Sequence, residues 1–200
     1  MPTTLTLPRA DGTTASYTLS GRDPIQAPAG PIKSRIGMAA VHVVADPMAA
    51  INPTLQVALD WDATLKFRHY LWSLGLAVAE AMDTSQRGMG FDWGTAKQLI
   101  KRAVAESKTV PGAVLASGAG TDHLEPGPRV TIADVEAAYE EQCAWIEGCG
   151  GRIILMASRA LAKIGRSADD YAKVYNRVLS QVKEPVIIHW LGDMFDPALS

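Results

Sequence analysis

The stretch Pro185-Val-Ile-Ile-His-Trp-Leu-Gly-Asp193 decides which fold we expect for this chain. Its Val-Ile-Ile run follows a proline, and such a short apolar run is typical of a strand covered on both faces. His189, Trp190 and Asp193 lie at the end of that run. Polar side chains at the C-terminal end of a buried strand are typical of the catalytic edge of a parallel α/β fold. The stretch therefore predicts a strand with functional groups at its end.

Four earlier segments repeat this layout along the chain. Each is short and apolar and is followed by polar residues, which predicts strands at 36–45, 76–82, 113–117 and 151–156. The strand starts recur about every 35 to 39 residues, a spacing consistent with strand–helix units. Amphipathic helical patterns lie between the strands, and such alternation predicts a parallel sheet.

Local signals place the ends of several of these helices. Gly75 follows the first helical pattern, as a left-handed helix cap does. Two later patterns begin with a hydroxyl residue and have an aspartate three positions on. This spacing predicts capping boxes at Thr131/Asp134 and Ser167/Asp170.

Two α/β architectures fit this pattern. An eight-unit (β/α)₈ TIM barrel needs roughly 300 residues at this spacing, so about five of its units are present here. The alternative is an open doubly wound parallel sheet, which is complete at this length. Polar residues follow nearly every predicted strand, which favours the barrel, because all strand ends of a barrel face one mouth.

The N-terminal residues differ from this pattern. Asp11-Gly12 lies between two Thr/Leu segments, which predicts a β-hairpin, and a proline-rich connector follows. We therefore expect an N-terminal hairpin extension and linker over 1–30 and the barrel domain over 31–200.

Composition excludes several classes of protein. The formal net charge of -2 gives no basic footprint for nucleic acid. No apolar run is long enough for a membrane span, and the first residues do not resemble a signal peptide. Cys143 and Cys149 are expected to be free thiols in a reducing cytoplasm.

Side chains near the predicted strand ends form the candidate site. We expect His189 and Glu80 to be catalytic, because a carboxylate in an apolar strand is costly unless it is paired or used. Arg159 is suited to bind a carboxylate or phosphate. The other expected substrate contacts are Asp46, Asp83, Thr84, Ser117, Ser158 and Asp193. His123 is interpreted as a solvated loop residue.

No cofactor is predicted. The sequence has no P-loop, no dinucleotide fingerprint, no Gly-x-Ser-x-Gly elbow and no zinc spacing. A divalent metal is conceivable, with Glu80, Asp83 and His189 as ligands, although no spacing rule selects them.

Several motifs resemble the dihydrodipicolinate synthase / N-acetylneuraminate lyase superfamily of (β/α)₈ aldolases. Val114-Leu-Ala-Ser-Gly-Ala-Gly120 looks like its third strand and glycine turn, and Pro185-Val-Ile-Ile-His189 looks like its fifth strand. The segments 78–90 and 189–197 are similar to a bacterial branch labelled dihydrodipicolinate-synthase-like. The resemblance covers nearly the whole chain and implies that it corresponds to the N-terminal five-eighths of a barrel.

The resemblance also implies a function. We expect a cytoplasmic, homo-oligomeric lyase of small keto acids or sugar acids, with no nucleic-acid or membrane partner. Its Schiff-base lysine is expected at the end of a sixth strand, beyond residue 200. The sequence departs from the superfamily at Ala157-Ser158-Arg159, where a Pro-Tyr-Tyr motif is usual, and at 82–85, where the keto-acid loop is replaced. A metal-dependent aldolase or isomerase and a non-catalytic binding or scaffold module are the alternatives.

Overall fold

The computed structural model describes residues 3–21, 30, 35–125, 127–196 and 199. Strands β1 (Thr4–Pro8) and β2 (Thr14–Thr18) pair in antiparallel fashion, which confirms the predicted hairpin. Gly12 lies in its turn with φ of 81°, a conformation that favours glycine. Most of the predicted linker lies outside the described residues.

Five parallel strands form the main sheet, and helices connect them. The strands are β3 (Met38–Ala40), β4 (Ala77–Glu80), β5 (Leu115–Ala119), β6 (Arg152–Leu155) and β7 (Ile187–Ile188). The helices are α1 (Trp61–Ser73), α2 (Trp93–Ser107), α3 (Ile132–Gly148), α4 (Arg159–Ile164) and α5 (Ala168–Leu179). The prediction of an α/β fold with a parallel sheet is confirmed.

The strands lie in the sheet in the same order as in the sequence, β3-β4-β5-β6-β7. A doubly wound sheet reverses its strand order at a switch point, and no reversal occurs among these strands, so that alternative is wrong. Buried residues of all five helices pack in one cluster with strand residues, so these helices lie on one face of the sheet. The sheet is therefore wound in one direction only, an arrangement consistent with part of a barrel.

The two faces of the sheet carry separate apolar clusters. Val78, Leu115 and Ile153 pack with the helices in the larger cluster. The opposite, inner face carries a smaller cluster of Ala79, Met82, Ala116, Ile154 and Met156. Strand side chains alternate between faces, so a residue's position along its strand decides whether it faces the helices or the inner face.

Close packing on the inner face requires a glycine in β5. A Cβ atom on Gly118 would lie 2.8 Å from the carbonyl oxygen of Ala81 and 2.8 Å from the sulfur of Met156. The contact with backbone cannot be relieved by a side-chain rotation, so the strand ends approach more closely than any larger residue would allow.

Some element boundaries differ from prediction. The strand predicted over 36–45 is paired in the parallel sheet only at Met38–Ala40, because Ala45 leaves that sheet and bridges Leu59. The capping box of Thr131 and Asp134 is confirmed. The one at Ser167 is wrong, because the Ser167 side chain caps nothing.

Candidate functional site

The C-terminal ends of the parallel strands lie along one edge of the sheet. The segments that leave this edge include the turn Asp83–Ser85 after β4, the loop from Gly120 after β5, and helix α4 after β6. Ligands of parallel α/β folds bind at this edge, so each predicted site residue is placed relative to it.

Glu80 faces helix α1 and lies away from the inner face. Its two carboxylate oxygens accept hydrogen bonds of 2.8 Å from Nε and Nη2 of Arg68, and both side chains are fully buried. One of those oxygens also accepts a bond from the Ala81 amide. The expectation of a carboxylate facing the mouth is therefore corrected: Glu80 is paired inside the helical layer.

Ser117 occupies the same face as Glu80, because the two residues are paired in the sheet register. Its next neighbour in the register is Ile153, which belongs to the helix-facing cluster. The Ser117 hydroxyl is buried without a hydrogen-bond partner among the described residues. Ser117 therefore does not reach the inner face, where the predicted substrate contact would require it.

The turn after β4 is held by hydroxyl groups. Thr84 and Ser85 each donate a hydrogen bond of 3.1 Å to the Val41 carbonyl, which ties this turn to the end of β3. Asp83 begins the turn, is half-buried, and does not cap it. Thr84 therefore has a structural partner, while the Asp83 carboxylate has no hydrogen-bond partner among the described residues.

Ser158 and Arg159 lie at the start of helix α4, a short helix that the sequence analysis missed. Ser158 caps the helix by accepting a 3.0 Å bond from Leu161 N, and its hydroxyl lies 2.6 Å from that of Thr121. Arg159 is exposed, and its Nη1 lies 3.9 Å from the position where a side chain would begin at Gly88. No ion pair joins the Arg159 guanidinium to another described residue.

His189 continues the pairing of β7 by one residue, since its amide donates a 2.9 Å bond to the Leu155 carbonyl. Ile187 pairs with Ile154 of the inner face, and His189 follows two positions later, so it shares that face. Its Nδ1 is buried without a hydrogen-bond partner among the described residues. Asp193 is exposed in the turn that follows.

Arg87 is a buried residue of this edge that the sequence analysis did not select. Its Nη1 donates bonds of 3.1 Å and 2.8 Å to the carbonyls of Ala81 and Gly118 at the ends of β4 and β5. Its Nε and Nη2 donate to the two carboxylate oxygens of Asp122, and Nη2 also donates to Gln142. Arg87 therefore holds two strand ends, one loop and one helix together.

Gln142 and His123 extend this network. Gln142 receives a 2.7 Å bond from the Gly120 amide and donates 2.9 Å bonds to Asp122 and to Nδ1 of His123. The other ring nitrogen of His123 lies 3.2 Å from Glu141. The interpretation of His123 as a simply solvated residue is wrong, because both of its ring nitrogens have protein partners.

The Arg87 network determines the charge of Asp122. Burial alone would raise the pKa of the Asp122 carboxyl, but the hydrogen bonds and the positive charge of Arg87, with a bond from Gln142, outweigh it. The pKa therefore lies below its ordinary value, and Asp122 is anionic at neutral pH. Asp122 of this pair lines a cavity of about 430 Å³ together with residues that include Gly88, Trp93 and His123.

Asp46 has a different setting, in the loop after β3. Its Oδ1 accepts a 2.9 Å bond from the Met48 amide, and its side chain lines a second cavity of about 520 Å³. No cluster of three or more His, Cys, Asp or Glu side chains suited to a metal occurs in the part of the chain that the structure describes. Glu80, Asp83 and His189 accordingly do not form the conceivable metal site.

Comparison with known proteins identifies a family. Of the helices described, none is long and apolar enough to cross a membrane. A search of the curated proteins found no match. A protein-family model described as "protein of unknown function (DUF993)" matches residues 5–200, which is nearly the whole chain. The chain therefore belongs to the DUF993 family.

Proposed function

We propose that the five strands are the first part of a (β/α)₈ barrel, and that this barrel is a lyase of the aldolase type acting on a small keto acid or sugar acid. The observation that carries the proposal is the unbroken strand order β3-β4-β5-β6-β7, with the helices on one face and a separate apolar cluster on the other. A closed barrel needs this winding and fills its interior with such side chains.

The outer strands of the sheet support closure by further strands. In the described sheet, β3 and β7 each pair with a single neighbour, and Ile187 and Ile188 of β7 are 47% and 50% exposed. Unpaired backbone groups and exposed β-branched residues at a sheet edge favour the addition of another strand. In the proposed barrel, a sixth strand pairs with β7 and brings the Schiff-base lysine to the mouth.

Three side chains support the proposed chemistry by their positions. Arg159 is an exposed guanidinium at the C-terminal edge, suited to a substrate carboxylate or phosphate. His189 is on the inner face and carries a ring nitrogen with no hydrogen-bond partner among the described residues, so it is the proposed proton carrier. Asp83 is the acidic residue of the turn after β4, and its carboxylate is proposed to bind a substrate hydroxyl.

The lysine would form an imine with the substrate carbonyl, releasing water. The protonated imine then accepts the electron pair of the carbon–carbon or carbon–hydrogen bond that breaks. Glu80, Ser117, Thr84 and Ser158 are left out of this scheme, because their side chains are paired or face the helices.

Borohydride trapping tests the proposal on the full-length protein. Incubation with pyruvate or 2-oxobutanoate and then sodium borohydride should add the mass of the reduced keto acid to one lysine, as read by peptide mass spectrometry. His189→Asn should retain trapping and slow the exchange of the substrate's α-protons with solvent at least tenfold. His69→Asn, at a partly exposed position of α1, is the matched control and should leave both unchanged.

Two results would contradict different parts of this proposal. Absence of an adduct with any keto acid overturns the Schiff-base reaction. Equal proton exchange in the His189→Asn variant and the parent protein removes His189 from its role while leaving the lysine reaction intact.

A further inference from the structure

The cavity of about 520 Å³ lies outside the inner face, between two loops at the C-terminal ends of β3 and β4. One wall is the loop 43–59 and the other is the loop 85–91. We call this cavity the loop pocket. Its volume is in the range of small-molecule sites, which are usually preformed and mostly apolar with a few polar groups.

Backbone hydrogen bonds hold the first wall in shape. The two ends of the loop are joined by bonds from Asp46 N to the Ala58 carbonyl, 3.0 Å, and from Asp60 N to the Val44 carbonyl, 2.9 Å. Its tip is closed by the Asn52 carbonyl, which accepts two further amide bonds. The loop is therefore a compact Ω-type loop that is closed by its own backbone hydrogen bonds.

The second wall is anchored on both sides of its tip. Ser85 is fully buried and is bonded to the Val41 carbonyl, and Phe91 is 2% exposed in the helix-facing core. Met89 lies between these anchors and is 49% exposed above the pocket. The first wall is thus held by hydrogen bonds across its own ends, and the second is anchored to the end of β3 and to the core.

The lining of the pocket is apolar and only partly covered. Ile51, Val57, Leu59, Met89 and Phe91 contribute aliphatic or aromatic surface. Exposed apolar side chains also follow one another along the first loop, with Met48 88%, Leu55 81% and Val57 46% exposed. Such a concentration on an ordered loop marks a surface that binds an apolar group.

One charge accompanies this apolar lining. Asp46 is the single charged residue that lines the pocket within the described part of the chain. Its Oδ1 is engaged by the Met48 amide, whereas its Oδ2 has no hydrogen-bond donor among the described residues. A half-buried carboxylate in an apolar pocket attracts a cationic donor and repels an anion.

We propose that the loop pocket binds a small molecule that has an aliphatic or aromatic body and a protonated amine, with the amine paired to Asp46. The apolar walls accept the body and the free carboxylate oxygen accepts the amine hydrogen bonds. This site is separate from the proposed imine chemistry, and binding without turnover tests it independently of that reaction.

Methyl NMR with ¹³C-labelled methionine tests the site in the full-length protein. Benzylamine is the probe, and phenylacetate and benzyl alcohol are the anionic and neutral comparisons. Benzylamine should shift the methyl signal of Met89, assigned by a Met89→Leu variant, and should bind at least about tenfold more tightly than phenylacetate. Equal affinity for the amine and the acid, or no shift at Met89, overturns the proposal.

Two variants examine the charge and the walls. Asp46→Asn keeps the oxygen that accepts the Met48 amide and removes the charge, so benzylamine affinity should fall about five- to tenfold. Asp169→Asn is the matched control, an exposed acid on α5 outside the pocket, and should leave the affinity unchanged. Val57→Trp should fill the pocket and abolish the Met89 shift. Unchanged binding in both Asp46→Asn and Val57→Trp assigns the probe to another surface and overturns the site.

Discussion

Two buried arginines, Arg68 and Arg87, serve the same sheet in different ways. Both donate to backbone carbonyls and both form a two-pronged pair with a carboxylate. The carboxylate of the Arg68 pair, Glu80, is fully buried, whereas Asp122 of the Arg87 pair retains 14% of its side-chain exposure. The first pair lies inside the helical layer and the second lies at the border of a cavity.

The difference shows how to distinguish an ion pair that only stabilises the fold from an ion pair that lies beside a cavity. Among the described residues, Arg68 donates to Glu80 and to the backbone carbonyls of His42 and Thr64, and both side chains of the pair are fully buried. The Arg87 pair shares its partners with Gln142 and His123, and it positions loops that line the pocket containing Gly88. A ligand in that pocket can therefore influence the Arg87–Asp122 network. The following variants measure how differently the two pairs contribute to stability and binding.

The largest effect is expected from Glu80→Ala. The change leaves the Arg68 guanidinium charged and buried without its carboxylate, which should lower the free energy of unfolding by about 3–5 kcal/mol. Urea unfolding followed by circular dichroism measures this. Glu106→Ala is the control, because Glu106 and its partner His69 are partly exposed, and such solvent-accessible pairs contribute less than about 1 kcal/mol.

If Glu80→Ala lowers the free energy of unfolding by less than about 1 kcal/mol, the result would contradict the complete burial of the Arg68–Glu80 pair. It would mean that water reaches Arg68, and that Glu80 regains its place as a candidate for the site.

Arg87→Lys should have the next largest effect. Lysine keeps the charge but cannot donate at once to two carbonyls and to both oxygens of Asp122. We expect a loss of about 2–4 kcal/mol in urea unfolding, because buried charge-assisted bonds and two strand-end carbonyls lose their donors. Arg177→Lys, in the exposed pair with Glu140, is the matched control and should be near neutral.

A smaller effect is expected from the pH dependence of the stability that the Arg87–Asp122 pair contributes. The folded pKa of Asp122 lies below its ordinary value, so its contribution to stability is fully present above the unfolded pKa of about 3.9 and is lost as pH falls through the folded pKa. Asp122→Asn should therefore destabilise the protein at pH 7, and the difference from the parent should shrink below about pH 4. A difference that is constant from pH 7 to pH 3 would contradict an ionised Asp122. Asp169→Asn serves as the control.

The smallest effect is expected from Arg159→Gln. This third arginine of the same edge has no protein partner in the described structure, so the free energy of unfolding should change by less than about 0.5 kcal/mol. Binding of a keto-acid substrate, measured by calorimetry, should weaken by at least about tenfold. A marked loss of stability would place Arg159 with the structural arginines and remove it from the proposed substrate contacts.

The sequence predicts the order of elements well and their lengths less well. Apolar runs separated by amphipathic patterns identify all five parallel strands, because burial between helices selects Val, Ile, Leu and Ala. Strand length depends also on pairing with a neighbour, which the sequence does not contain. β3 and β7 lie at the two edges of the described sheet with one neighbour each, and both are shorter than predicted.

The site residues were harder to predict, since a strand residue changes face with each step. Glu80 and Ser117 lie near the C-terminal ends of their strands, as predicted, but on the helix-facing side of the sheet. No local sequence pattern reveals which face they occupy. Arg68 did offer a signal, because it shares the buried face of α1 with Leu71 and Trp72. A charged residue on such a face requires a buried partner. Arg87 lies in a glycine-containing loop without periodicity, and its partner Gln142 is 55 residues away.

The strand order has a consequence for how the chain folds during synthesis. Each new strand pairs with the strand made just before it, separated only by the intervening helical segment. The sheet can therefore grow from β3 towards β7 as the chain leaves the ribosome, without waiting for distant partners. At every stage the newest strand is one of the two exposed edges of the growing sheet, and the time it spends unpaired is set by the rate of translation.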